Sequence, residues 1–110
     1  MPHFMIQMKY SGDAVKAMVA NPQDRRKAAA AAIQAVGGKM ISAYFTFGTH
    51  DVVVIYEAPD ATSAVALSLT LGASGAASGA QTTPLLTMEE AVAAMKQANK
   101  TGASYKPPAA

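Results

Sequence analysis

The stretch FGTHDVVVIYEAPD, Phe47 to Asp60, decides the fold. A glycine turn carrying His50 and Asp51 runs straight into four aliphatics, Val52 to Ile55, and Pro59-Asp60 then ends the run. An unbroken β-branched segment bounded by turn residues reads as a strand covered on both faces, and the turn just ahead of it reads as a hairpin. In that hairpin Gly48 supplies the positive φ, Thr49 and His50 make the turn, and Asp51 bonds turn amides.

Working outward, Lys39 to Phe47 alternates and is rich in aromatic and β-branched residues, so it forms the other arm of the hairpin. His3 to Tyr10 also alternates, with Phe4, Ile6, Met8 and Tyr10 on one face. Between these strands Asp13 is expected to cap a short helix whose Val15, Met18 and Val19 share a side. Asn21-Pro22 is expected to restart the helix, with asparagine as cap and proline in the first turn. The segment DRRKAAAAAIQAV has high helix propensity, and Gly37-Gly38 closes it with a left-handed cap. Its alanine run reads as a close-packing surface. Downstream, Val65, Leu67, Leu69 and Leu71 step by two, but Asp60 after proline is a good cap and alanine favours helix, so Asp60 to Leu71 is read as helical. GASGAASGAQ, Gly72 to Gln81, then loops into an edge strand ending near Pro84 to Leu86. Thr87 and Glu90 form a capping box for a last helix with Met88, Ala91, Val92 and Met95 on its apolar side. Residues 1–100 make one domain, and Thr101 to Ala110 have the composition of a tail.

The order strand, helix, strand, strand, helix, strand, with right-handed crossovers, gives an antiparallel sheet of order 4-1-3-2: an α+β, ferredoxin-like βαββαβ fold plus a C-terminal helix. Its helices cover one side of the sheet. The all-aliphatic third strand then leaves a second apolar side, with Met5 and Tyr44 beside it, and such a patch marks an interface. The expectation is a homodimer, or a larger ring of such dimers, with two sheets packed face to face. The alternative is that the last helix folds back over that side.

Composition narrows the function. The chain has 110 residues, no cysteine and a net charge of +2 (9 Lys and Arg against 7 Asp and Glu). Without cysteine there are no disulfides, thiolate nucleophiles or thiolate metal ligands. The N-terminus lacks the pattern of a signal peptide and no apolar run reaches about 18 residues, so a cytoplasmic protein with no membrane partner is the expectation. No Lys or Arg lies between Met40 and Met95, and the one basic cluster, Arg25-Arg26-Lys27, is in a helical stretch, which argues against nucleic-acid binding.

Together, the N-terminal strand, NPQDRRKAAAAAIQAVGGK, FGTHDVVVIYEAPD and QTTPLLTMEEA resemble the GYD domain family over most of the chain, from Met1 to about Gln97. The family's Gly-x-Tyr-Asp falls on Gly48, Thr49, His50 and Asp51, with His50 in the tyrosine position. The resemblance implies the ferredoxin-like fold of the dimeric α/β-barrel type and association through the sheet, and it supplies no catalytic residues.

The remaining chemistry is sparse. His3, His50 and Asp51 contain the ligand types of a two-histidine, one-carboxylate metal site, but antiparallel pairing sets the two histidines at opposite ends of neighbouring strands, about 20 Å apart. No metal or cofactor is expected. Successive residues of an extended chain point to opposite sides, so His50 and Asp51 are poorly placed as a base and its orienting acid. No glycine loop makes a phosphate cradle, and no serine has a triad partner. What remains is a cluster at one end of the sheet: Lys9, Tyr10, Tyr44, Thr46, His50, Asp51 and, at the expected start of the fourth strand, Gln81. Polar groups at an apolar mouth suit a small ligand. The expectation is a self-associating, small-ligand-binding or scaffold-like domain. The alternative is a small cofactor-independent enzyme, isomerase- or oxygenase-like, working in a cavity lined by His50 or Tyr44.

Overall fold

A computed structural model describes residues 1–109. The elements are β1 (His3–Tyr10), α1 (Gly12–Ala20), α2 (Arg26–Ala35), β2 (Lys39–Phe45), β3 (Val52–Glu57), α3 (Ala61–Ala73), β4 (Ala77–Leu85) and α4 (Met88–Thr101), followed by a short 3-10 turn at Gly102–Ser104. The sheet order is β2-β3-β1-β4, every pair antiparallel, which is the ferredoxin-like arrangement expected.

The pleat of β1 sorts its residues cleanly: Phe4, Ile6, Met8 and Tyr10 are buried beneath the helices, while Met5 and Gln7 are half-buried and Lys9 is exposed on the other side. On β3, Val54 and Tyr56 join the core and Val53 and Ile55 lie half-buried on the open side. Ile33 of α2 and Ala64 and Leu67 of α3 complete the core against this floor. Tyr56 is fully buried, its ring 5.7 Å from Phe4, and its hydroxyl has no hydrogen-bond partner among the described residues. An irregularity between Met40 and Ser42 leaves Ile41 as an extra residue on β2 and puts Tyr44 opposite Val53, on the open side.

Several local expectations hold at the level of individual bonds. Asp60 caps α3, its carboxylate accepting from the Ser63 amide at 2.8 Å. The Thr87–Glu90 box opens α4 with bonds of 3.0 and 3.1 Å. Gly37, at φ 83°, ends the α2 segment, and the Gly38 amide donates to the Ile33 carbonyl. A side chain at Gly38 would overlap the Glu57 carbonyl oxygen, so α2 reaches the sheet only because that position is bare.

Two helix starts differ from expectation. Ser11, not Asp13, caps α1: its hydroxyl accepts from the Ala14 amide at 3.1 Å, while its own amide donates to the Ala76 carbonyl and ties the helix start to the residue just ahead of β4. Asp13 instead sits in the first turn, where its charge complements the dipole. Asn21-Pro22 does not restart the helix. Gln23 donates back to the Asn21 carbonyl and Asp24 accepts from the Arg26 amide, which together hold residues 21–25 as a connector, so α2 begins only at Arg26.

The last helix does not fold back over the sheet. Every residue of α4 except Ala91 is exposed, including Met88, Val92 and Met95, and the molecule extends to 59 Å along its longest axis. Its radius of gyration, 17.7 Å, well exceeds the roughly 13 Å of a compact domain near this length. The open side of the sheet is therefore bare within one chain.

Candidate functional site

The hairpin loop resolves into a set of ties between strands. Asp51 sends its amide to the Met8 carbonyl at 2.9 Å, and its carboxylate accepts from the Tyr10 amide at 3.0 Å. The same carboxylate lies 3.8 Å from Lys9 Nζ. The expectation that Asp51 bonds turn amides is thus corrected: its side chain reaches across to β1, because β1 ends beside the loop with an amide left over. Thr46 donates its hydroxyl to the His50 carbonyl at 2.8 Å, and its amide donates to the Asp51 carbonyl at 2.7 Å. His50 enters this network through its backbone.

Of the residues expected to cluster, Lys9, Tyr10, Thr46, His50 and Asp51 do come together. Tyr44 stands slightly apart, 67% exposed at the β2 edge. Gln81 does not join them. The fourth strand starts at Ala77, opposite Tyr10, so Gln81 falls opposite Gln7, about 13 Å along the strand from that end. His3 pairs with Glu57 at 3.4 Å, at the far end of the sheet from His50. Among the described residues no three His, Cys, Asp or Glu side chains gather as a metal site, and no helix is long and apolar enough to cross a membrane.

A cavity lies elsewhere, on the helical side of the sheet. α2 packs chiefly on β2 and α3 on β4 rather than on each other, and a slot of about 530 Å³ opens between them. Its floor is Ile6, Met8 and Val54, and its walls are Ala28, Ala29 and Ala32 of α2 and Leu67 and Leu71 of α3. The alanine run therefore leaves room instead of closing the helices together. At the loop end of the slot stand Tyr10 and the connector residues Gln23 to Arg26, with Tyr44 at the border. The Tyr10 ring is 6.4 Å from Phe45. Burial pushes its phenol above the ordinary value, the Arg25 charge opposes that shift, and Asp51 adds to it. The cation opposing it, Arg25, and the alanine wall are the parts that sequence reasoning missed; the signal available was a basic residue immediately ahead of a row of smallest side chains.

A match to the GYD domain model spans residues 4–95. The chain belongs to the GYD domain family. Within that family's motif, Gly48 at φ 152° and Asp51 hold the hairpin and the end of β1, while His50 occupies the tyrosine position. Among curated proteins, none matches this GYD domain in sequence. Among solved structures it is similar in fold to MtbAldR, with 15% identity over 78% of this chain and a TM-score of 0.57; the chain spans about half of that structure, 53%. It also aligns with FFRP-DM1, with 13% identity over 78% of this chain and 100% of that one at a TM-score of 0.49. A hypothetical protein from Pyrococcus horikoshii aligns with 15% identity over 79% of this chain and 92% of that one, at a TM-score of 0.48.

Proposed function

We propose that this GYD domain is a self-associating, small-ligand-binding module whose open sheet side is the surface between copies. The observation that carries this reading is the bare side of β3 and its neighbours. Val53 and Ile55, with Met5, Tyr44 and Ile41 around them, have no covering element among the described residues, and α4 stands away from them. These apolar side chains share that side with Gln7, Gln81, Thr83 and Ser42, and apolar area of this kind is costly to leave in water.

The size of the surface also bears on α4. Four strands at about 4.8 Å spacing and six residues of about 3.3 Å each give a footprint of roughly 400 Å². A standard interface needs about 800 Å² per partner. The apolar stripe of α4, Met88, Val92 and Met95, lies outside the sheet and supplies further area if it clasps the second copy. Sedimentation at micromolar concentration is the test. Ile55→Lys is expected to give a folded monomer, and removal of residues 88–110 to weaken association. A wild-type chain that sediments as a single subunit at tens of micromolar overturns the reading. For ligand binding, the polar set Lys9, Tyr10, Thr46, His50 and Asp51 lies at the same end of the domain as the slot's mouth, and that proximity supports placing the ligand there.

A further inference from the structure

We propose that the slot between α2 and α3 binds an amphipathic organic anion: one carboxylate at the loop end, with an apolar body lying over Ile6 and Val54 between the helices. This rests on the reading of the protein as a ligand-binding domain and adds the ligand's chemistry.

Protein interiors are packed about as densely as organic crystals, with few voids larger than a water molecule. A slot of about 530 Å³ is far beyond such a void and within the range of small-molecule sites. It persists because α2 presents Ala28, Ala29 and Ala32 to it, the smallest side chains that still make a good helix. Water finds few of the two to four polar partners it needs, since the floor is aliphatic and the polar side chains of the α3 wall, Thr70 and Ser74, already donate to the Ala66 and Leu71 carbonyls. The body of the ligand is therefore apolar.

Charge at the mouth sets the head group. Asp24 and Arg26 neutralise each other, the carboxylate meeting the guanidinium from both oxygens. Arg25 has only a neutral partner, the Gln23 amide oxygen at 2.9 Å, and makes no ion pair among the described residues. It lies close enough to the Tyr10 phenol for its charge to act there. Tyr10 lines the slot, is 9% exposed, and its hydroxyl is in none of the hydrogen bonds among the described residues. The α2 N-terminus adds little of its own, since the Asp24 carboxylate already accepts from its first amide, that of Arg26, so Arg25 carries the positive charge at the mouth. A guanidinium without an ion-pair partner and a free phenol donor beside a mainly apolar slot match a carboxylate with a hydrocarbon tail.

The test is calorimetric titration at pH 7.5 with octanoate, decanoate, decanol and decylammonium, all kept below their micelle concentrations. Decanoate is expected to bind at least tenfold more tightly than decanol and to exceed octanoate by about fourfold per added CH2; decylammonium is expected not to bind. Arg25→Gln should remove the advantage of decanoate over decanol and leave decanol unchanged. Ala29→Leu should block both, and Arg25→Gln still decides the matter if that variant does not fold. Amide shifts on binding should fall on Tyr10, Ala28, Ala32 and Leu67, with Ile55 and Thr83 unmoved. No binding at 1 mM, equal binding of decanoate and decanol, indifference to Arg25→Gln, or shifts on the open side each overturn the proposal. Sedimentation of the same samples separates the outcomes: a chain that self-associates but ignores decanoate loses only this inference, whereas a lone subunit that binds decanoate loses the sheet-side reading and keeps this one.

Discussion

Replacing Asp51 by alanine should cost this protein more than any other change in its hairpin loop. The carboxylate is the acceptor for the Tyr10 amide at 3.0 Å, and both groups are partly or wholly withdrawn from water. Without it, that amide has no ladder partner, because it faces the β3 side of β1 and the pairing of β1 with β3 ends at Met8 opposite Val52. A buried donor left unsatisfied costs about 1–3 kcal/mol, and a bond to a charged acceptor sits in the same range. The Lys9 contact, at 3.8 Å with lysine half exposed, adds under about 1 kcal/mol. The expected loss is therefore about 2 kcal/mol, or a fall in Tm of roughly 10 °C for a domain near this size. Asp51→Asn keeps an acceptor oxygen in place and should lose less than half as much. Urea titrations of wild type and both variants, at one protomer concentration so that association does not shift the midpoints, measure the difference. Asp51→Ala within about 0.3 kcal/mol of wild type would refute the cross-strand role. Equal losses in the two variants would show that charge, not the acceptor, is what the fold uses.

Gly38→Ala should cost at least about 3 kcal/mol or prevent folding, since its Cβ meets the Glu57 carbonyl, whereas Gly72→Ala on open α3 should be neutral or stabilise by about 0.5–1 kcal/mol; thermal melts of both variants check the contrast. Tyr56→Phe removes a buried hydroxyl that has no partner and should raise stability by about 1 kcal/mol in urea titration, a loss instead showing that the hydroxyl is bonded. Hydrogen bonds from the Ser63 and Thr87 amides hold the Asp60 and Glu90 carboxyls below their ordinary values. Stability from those caps is present above the unfolded carboxyl values and is lost as pH falls through the folded ones. Thermal melts between about pH 6 and pH 2 should accordingly fall more steeply for wild type than for the Asp60→Asn, Glu90→Gln double variant, which keeps its caps without titrating.

What was legible in the sequence was whatever chemistry acts within a few residues. Asp60, Thr87 with Glu90, and Gly37 each satisfy backbone groups of their own helix, and each does so where expected. The aliphatic run of β3 was legible because only a central strand tolerates it, and with it came the sheet order. Misplaced features depend on partners far along the chain. Ser11 wins the α1 cap because Ala76 anchors its amide, 65 positions away, and Asp51 turns to Tyr10 across 41 positions instead of to its own turn. Gln81 was misplaced because Ala77 to Ala80, read as loop, pair with the end of β1. The slot was the hardest to foresee. Small side chains let helices approach and equally leave a gap when they do not, and which happens here follows from α2 resting on β2 and α3 on β4.

The motif that names the family also explains why a histidine is acceptable within it. Its glycine is needed for a φ that L residues rarely adopt, and its aspartate for a carboxylate that reaches β1. The third position contributes a carbonyl to the Thr46 hydroxyl, which any residue provides. Asp51 also stands where the two sides of the sheet meet: it grips the backbone of Tyr10, whose ring lines the slot, and pairs with Lys9, whose side chain rises on the open side. One short loop therefore sets the geometry of both surfaces, and it does so through the backbone of β1.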